Sequence, residues 1–310
     1  LLPGGKRLAC CALALLLAGC QALGIRLSDA PTPVVGTPLP TWAGVVNPLV
    51  TNVAPYTPPP IIPTVATIAG QPTTPGVINP GNVGGQGWSL VTAAIALRQL
   101  TMPSGNTTVP VVVTRLDPTR VSFQTYYTPG VLHTLSEWRS ALPTSVLLVN
   151  ANYFNPQNMA IGLVVSNSNS YGGYINRADS GLFQIVGGRP RVRSLWLEPY
   201  NASERLEQAV QGFPILAAQG QAAPISPDLD QGSGRRTVVA LDRQGRVLFL
   251  ITPLGGVTLS EMARWLVSGS GLDIDTALNL DGGRSTQMFV GSQSYPGLTG
   301  LPLMIAVFSR

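Results

Sequence analysis

Lysine is almost missing from this sequence. The only one is Lys6, inside an N-terminal segment with the features of a targeting signal, so the rest of the chain relies on arginine for positive charge. That absence excludes a lysine Schiff base, a Walker-type phosphate loop and a Ser-x-x-Lys nucleophile pair from the remainder. Histidine is as scarce. His133 stands alone, which rules out a His-rich zinc site and leaves room for one Ser/His/Asp arrangement at most. It lies just ahead of the helix signal "TLSEW" and is read as a structural or surface residue. Cysteine occurs only at Cys10, Cys11 and Cys20, so nothing beyond residue 20 can form a disulfide. Charged residues make up 11% of the chain, and the net charge of +5 comes from scattered arginines with short clusters at Arg189, Arg191, Arg193 and at Arg235, Arg236. No basic stripe with interleaved aromatics is present, so no nucleic-acid partner is expected.

What the sequence does have is proline and glycine, 28 and 34 residues, and a hydrophobic content of 45% that is ample for a packed core. The first twenty residues read Lys6-Arg7, an apolar run from Leu8 to Leu17, then Ala18-Gly19-Cys20. A positive start and an apolar run too short to span a membrane as a mature helix make a secretory signal. Its end, "LLAGC", resembles a bacterial lipobox, which predicts lipid attachment at Cys20 and a cell-envelope lipoprotein held to the membrane by its N-terminal anchor. An ordinary signal peptide with a chance cysteine is the alternative. Residues 21–86, with "YTPPPIIPT" at their centre, carry dense proline and hardly any charge. Proline removes backbone donors and favours extended chain, so this stretch is expected to be a disordered Pro/Thr-rich tether.

Residues 87–310 are expected to form one domain. Strand signals dominate it, in "VPVVVTRL", "RVSFQTYY", "SVLLVNANYF", "IGLVVS", "LFQIV", "TVVAL", "VLFLIT", "TALNL" and "LPLMIAVF". "VGGRP" and "DRQGR" read as hairpin turns. Three helix starts carry a hydroxyl or amide cap with glutamate three residues on: Thr134 with Glu137, Thr258 with Glu261, and Asn201 with Glu204. "QGFPIL" reads as a glycine helix stop after the last of these, followed by a short strand. The fold class expected is α+β, a single domain with a mixed, mainly antiparallel sheet core flanked by a few helices.

The chemistry concentrates in a few places. Asn150 and Asn152, at alternate positions of an apolar strand, are predicted to share a face where their amides can meet sugar hydroxyls, although asparagine also ends strands for turn chemistry alone. Arg235 and Arg236 follow a Gly-Ser-Gly loop, where a guanidinium can grip a phosphate or carboxylate; for Arg235 a solvated loop residue is the plainer reading. Glu261 is accounted for by its capping box. Asp281 ends the strand-like "ALNL" on Gly282-Gly283, a position where backbone can approach a ligand and amides are free, with hydroxyls returning at Ser285 and Thr286. No EF-hand spacing supports calcium there, and the Gly-x-Ser-x-Gly elbow is incomplete.

Taken in order, "VNANYF", "IGLVVS", "QGFPIL", "RRTVVALDRQGRVLFLIT", "TLSEMARWL" and "ALNLDGGRSTQM" resemble the phosphodiester glycosidase family from about Leu116 to Phe308. The most specific pieces are Arg236-Thr237 and Asn279 to Ser285. Two departures stand out: "NANYF" replaces the family's Asn-Gly-Gly-Phe type, and Arg284 replaces a small residue, which bears on substrate identity. The resemblance implies hydrolysis of a sugar-1-phosphodiester, taken here to lie on a cell-envelope or extracellular glycan; no cofactor and no metal-ligating residues are assigned. Asp281 would be the catalytic carboxylate and Arg236 would hold the phosphate with Thr237, Gly282, Gly283 and Ser285 around the substrate. Asn150 and Asn152 would orient the sugar, and Arg284 would be a contact or a solvated neighbour. A phosphate leaves more readily than an alkoxide, so no strong general acid is needed. The competing readings are a tethered domain that binds phosphodiester polymers without cleaving them, and a metal-dependent hydrolase.

Overall fold

Alternating apolar side chains build the largest sheet, and they cover it on both faces. A computed structural model describes residues 83–310, so the signal segment, Cys20 and most of the 21–86 tether lie outside the described residues. The eight strands run, in spatial order, β1 (Ser89–Thr92), β2 (Ile95–Ser104), β3 (Thr107–Leu116), β16 (Val247–Ile251), β15 (Thr237–Asp242), β17 (Ile274–Asn279), β13 (Ile215–Ala218) and β14 (Gln221–Ala222). Val239, Phe249, Ile251 and Leu278 face one core, while Val238, Ala240, Leu248, Leu250 and Ala277 face another. This is the period-two split of a strand buried on both sides. Helix α2 (Leu259–Ser268) closes the second core with Leu259, Met262, Ala263 and Leu266.

Two five-stranded sheets complete the first core. One has the order β11 (Arg189–Ser194), β10 (Gly181–Val186), β12 (Gln208–Gly212), β8 (Val164–Ser166), β9 (Asn169–Tyr171). The other has the order β19 (Gln293–Tyr295), β18 (Met288–Val290), β5 (Leu147–Asn150), β20 (Leu303–Ser309), β4 (Val121–Tyr127). Helix α1 (Leu135–Ala141) packs Leu135 and Trp138 on the outer face of that last sheet, against Leu148, Phe289 and Met304. A small hairpin of β6 (Tyr153–Phe154) and β7 (Ala160–Ile161) follows β5. The three large sheets meet on Phe123 of β4, Phe183 of β10 and Phe249 of β16, whose ring centroids lie 5.6, 5.8 and 6.4 Å apart in pairs. Edge and tilted contacts at these distances are the favourable aromatic geometries.

The domain has the mainly antiparallel β core expected, but it is richer in strand than a balanced α+β protein. Every strand pair among the described residues is antiparallel, so the sheets are not mixed. Both hydroxyl capping boxes form, at Thr134/Glu137 and Thr258/Glu261. The third expected helix does not. Asn201 and Glu204 make the local bonds of a cap, with Glu204 Oε1 accepting from the Asn201 amide at 2.8 Å, but Gln208–Gly212 then pairs with β10 and β8. Tertiary pairing overrides a local helix signal. Gly212 is therefore the end of a strand and not a helix stop; a side chain there would bring Cβ within 2.4 Å of the Asn279 carbonyl oxygen. "VGGRP" and "DRQGR" do join β10 to β11 and β15 to β16. His133 packs its ring edge-on against Trp138 at 5.0 Å, in keeping with a structural role.

Candidate active site

Strand ends from all three sheets converge on the segment that follows β17. Asp281 donates its amide to the Ala151 carbonyl at 3.0 Å, just past the end of β5. Asn150, fully buried, then uses its whole side chain on this segment: Nδ2 donates to the Asp281 carbonyl at 2.6 Å, and Oδ1 accepts from the Gln287 amide at 3.0 Å and from Thr237 Oγ1 at 2.8 Å. One amide thus closes both ends of the 281–287 loop and ties them to the start of β15. Within the loop, residues Gly283–Ser285 make a single 3₁₀ turn, with Gly283 at φ +57°, a conformation open to glycine.

Arg235 clamps this turn from outside. Its Nε donates to the Gly283 carbonyl at 2.8 Å, Nη2 to the Arg284 carbonyl at 3.2 Å and Nη1 to the Pro253 carbonyl at 3.3 Å. The expectation of a solvated loop arginine gives way to a structural one, because the curled turn leaves carbonyls that need donors. The two glycine amides are also occupied: Gly282 donates to Asp281 Oδ1 at 2.8 Å and Gly283 to the Arg235 carbonyl at 2.8 Å. They are not free to meet a phosphate, contrary to the reading of a nest of open donors, since the tight turn folds them back on the chain.

Asp281 itself has no cation partner among the described residues. Part of the residue reaches solvent, yet burial pushes its carboxyl up to about 6, against the opposing pull of bonds from the Ser285 hydroxyl and the Gly282 amide. A carboxylate poised near neutrality in a partly closed site is suited to proton transfer. Beside it lies a residue to which the sequence assigned no role. Tyr153 OH donates to the Phe213 carbonyl at 2.6 Å and accepts from Asn279 Nδ2 at 2.7 Å, and its ring stacks on Phe213 with centroids 4.5 Å apart. Burial first, and then the Asp281 charge, raise the Tyr153 hydroxyl far above the usual tyrosine range, while Arg236 and Arg177 act in the opposite direction. This hydroxyl is therefore a neutral donor and acceptor at a point where three charges are felt.

The remaining expected residues divide by what they still have to offer. Arg236 donates Nε to the Val257 carbonyl at 2.9 Å and Nη2 to the Gly232 carbonyl at 3.0 Å, leaving Nη1 without an acceptor among the described residues. Asn152 is buried; its Oδ1 accepts from the Tyr153 amide at 2.9 Å, and its Nδ2 has no partner among the described residues. Asn279 Oδ1 is likewise buried without a partner among them. Ser285 is buried and Thr237 fully so, whereas Arg284 is exposed and donates Nη2 to the Leu298 carbonyl at 3.2 Å. Glu261 stays in its capping box and accepts from Ser104 Oγ at 3.1 Å. Asn279 belongs to the Asn279 to Ser285 piece that the sequence singled out, without a role of its own there; it ends β17, two residues before Asp281. Tyr153 lies in the quoted "NANYF" beside Asn152 but was given no role, and Arg177 comes in through space, with no spacing to signal it. A cleft of about 490 Å³ is lined by Arg139, Gln287 and Leu298 among others, but neither Asp281 nor Tyr153 lines it, so cavity size does not locate the chemistry.

Residues 143–308, more than half of the chain, match the model of a family described as phosphodiester glycosidase. No curated protein matches the sequence. Among solved structures, a hypothetical protein from Synechocystis superposes with a TM-score of 0.53 at 16% identity over 71% of this chain and 63% of that one. The chain thus spans less than two thirds of the length of the Synechocystis protein. The catalytic domain of zebrafish N-acetylglucosamine-1-phosphodiester alpha-N-acetylglucosaminidase, auto-inhibited by its pro-peptide, matches with a TM-score of 0.52 at 16% identity over 70% of this chain and 82% of that one. A Burkholderia pseudomallei protein described as exported matches with a TM-score of 0.51 at 13% identity over 65% and 74%. At these identities the solved structures establish a shared fold.

Proposed function

The chain belongs to the phosphodiester glycosidase family, and on that premise we propose that it hydrolyses the glycosidic bond of a sugar-1-phosphodiester, giving a free sugar and a phosphomonoester. The observation that carries this reading is the Asp281 carboxyl, held near neutrality by burial on a loop stapled at both ends by Asn150. The Asp281 carboxylate takes a proton from water as the water oxygen bonds to the anomeric carbon. The bond from that carbon to the phosphate oxygen breaks, its electrons stay on the oxygen, and the phosphomonoester departs. Because that oxygen becomes part of a phosphate dianion, the site needs cationic donors more than a strong acid.

Arg236 supplies one such donor through its unoccupied Nη1, and the buried Nδ2 of Asn152 supplies a neutral donor to the sugar. Asn150 and Thr237 act by positioning, as their side chains are bonded within the protein. Gly282, Gly283 and Ser285 shape the loop around Asp281, and Arg284, at the rim, is a determinant of the group beyond the phosphate. Asp281→Asn is expected to lower turnover of a sugar-1-phosphodiester by more than about 10³-fold with the fold intact by circular dichroism. Full turnover in that variant would remove Asp281 from the mechanism, and tight binding of substrate by the wild type without any turnover would favour a binding module. The reading places the protein outside the cytoplasm, as the exported Burkholderia relative is, with Cys20 lipidated and residues 21–86 as a tether to the membrane. Mass spectrometry of the mature N-terminus tests this: an unmodified residue other than Cys20 would refute the anchor.

A further inference from the structure

Arg177 lies outside every sequence motif of the candidate site, and its surroundings are unusual for a plain surface ion pair. Its Nε and Nη2 donate to the two carboxylate oxygens of Asp179 at 2.8 and 2.7 Å. That engages one edge of the planar guanidinium. The other edge, formed by Nη1 and the second Nη2 hydrogen, has no acceptor among the described residues. The guanidinium carbon lies over the Phe213 ring, 4.8 Å from its centroid, and Phe213 stacks in turn on Tyr153. A guanidinium with one edge fixed by a carboxylate and its carbon set over a ring is partly pre-organised, so it loses less freedom when the open edge meets an anion.

The segment that carries it is fixed as well. The Gln211 side chain at the end of β12 accepts from the Ile175 amide at 3.0 Å and donates to the Ile175 carbonyl at 2.6 Å. Ser180 Oγ donates to the Arg177 carbonyl at 2.7 Å, and the Ile215 amide donates to the Asp179 carbonyl at 2.7 Å. The Phe213 carbonyl accepts from both Tyr153 OH and Asn279 Nδ2, and Asn279 is two residues from Asp281. Arg177 and Arg236 both exert their charge on the Tyr153 hydroxyl, and each has one edge of its guanidinium tied to protein oxygens and one nitrogen, Nη1, left open.

We propose that Arg177 is a second phosphate-binding guanidinium of this site, its open edge taking two oxygens of the phosphate in the leaving group. The proposal rests on the functional reading above. A phosphodiester carries one negative charge and the departing monoester carries two, so a bidentate donor there gains strength as the bond breaks. Arg177→Lys keeps the charge but loses the planar fork, and Arg177→Ala loses both.

Two measurements on the full chain separate the inference from the reading it rests on. Titration with inorganic phosphate, followed by calorimetry, needs no turnover: Arg177→Lys is expected to weaken binding at least about tenfold, and Arg177→Ala further. Steady-state kinetics are expected to show kcat/KM for a sugar-1-phosphodiester falling at least about tenfold in Arg177→Lys, with an aryl glycoside of the same sugar changed less than about threefold. Asp179→Asn loosens the guanidinium without removing it and is expected to fall between wild type and Arg177→Lys in phosphate affinity. Phosphate bound by Arg177→Lys as tightly as by wild type, or not bound by the wild type at all, would overturn the proposal. An equal loss on both substrates in a variant with wild-type melting would do the same, since it would mark Arg177 as structural. A wild type that binds phosphate through Arg177 but cleaves no sugar-1-phosphodiester would leave the phosphate site standing and sink the hydrolase reading instead.

Discussion

The three large sheets meet twice in this molecule, and the two meetings are built on opposite terms. In the interior they meet on Phe123, Phe183 and Phe249, three buried rings with no polar atom to satisfy. At the candidate site they meet through strand ends, at Asn150, Gly212, Thr237 and Asn279, where nearly every contact is a hydrogen bond. Burial stabilises the first meeting by roughly 1.5–3 kcal/mol per large side chain. It penalises the second, where, among the described residues, Asp281 lacks a cation partner and Asn152 Nδ2 and Asn279 Oδ1 are buried without a hydrogen-bond partner. The lesson is that the rigid apolar junction holds a polar one that would not assemble alone.

That contrast breaks most visibly at Phe249. Phe249→Ala empties the place where the rings of all three sheets touch, and it should cost about 3–5 kcal/mol of unfolding free energy. Urea unfolding measures it. A loss below about 1 kcal/mol would mean that the sheets are held by something other than their common core.

At the polar junction the same kind of substitution should work the other way. The Asp281 carboxyl titrates near 6 in the folded protein against an ordinary 3.8, so the folded state binds this proton more tightly than the unfolded chain does. Keeping the group ionised therefore destabilises the fold: the penalty is absent below about pH 4, grows as pH rises, and is complete above about pH 6. Asp281→Asn should accordingly be more stable than wild type at pH 7.5 by roughly 2–3 kcal/mol, and no more stable at pH 3.5. Melting curves at the two pH values test this, and equal differences at both would remove the titration argument. The same carboxylate as a base predicts that kcat/KM declines below about pH 6, about tenfold per pH unit.

The apolar junction was far easier to read in advance than the polar one. Strands such as "VLFLI" and "LPLMIAVF" announced themselves by composition, and both hydroxyl capping boxes were correctly located. The edges were harder. β2 escaped because "RQLTMPS" alternates poorly and holds Pro103; beyond Leu97 it has lost β1 as a partner and pairs only with β3, which lets proline sit at an open edge. At the candidate site, the sequence singled out Asp281, Asn150 and Thr237 and the structure brings them together, but the sharing of work among them could not be read in advance. Asn150 and Asn152 were expected to act alike from their alternate positions. β5 ends at Asn150, so the alternation stops there: the first amide is consumed by the 281–287 loop and the second keeps its donor open. The roles of Tyr153 and Arg177 come from their contacts with Phe213, between segments far apart in the chain, which no local spacing encodes.

The smallest test concerns a carboxylate that lies outside both meetings. Glu261 is the kind of residue a sequence search for a general acid would select, but its oxygens are taken by the Thr258 amide at 2.8 Å and by Ser104 Oγ at 3.1 and 3.3 Å. Those bonds close the first turn of α2 and fasten it to the end of β2, on the face of the large sheet that looks away from the three-ring core. Glu261→Ala should thus cost about 1 kcal/mol of stability, as loss of a cap does, and Glu261→Gln less, because an amide oxygen still accepts from Thr258. Neither should alter kcat on a sugar-1-phosphodiester by more than about twofold below the melting temperature. A tenfold fall in kcat in Glu261→Gln, with melting unchanged, would place a proton-transfer group at the helix cap as well as at the strand-end junction and undo the comparison.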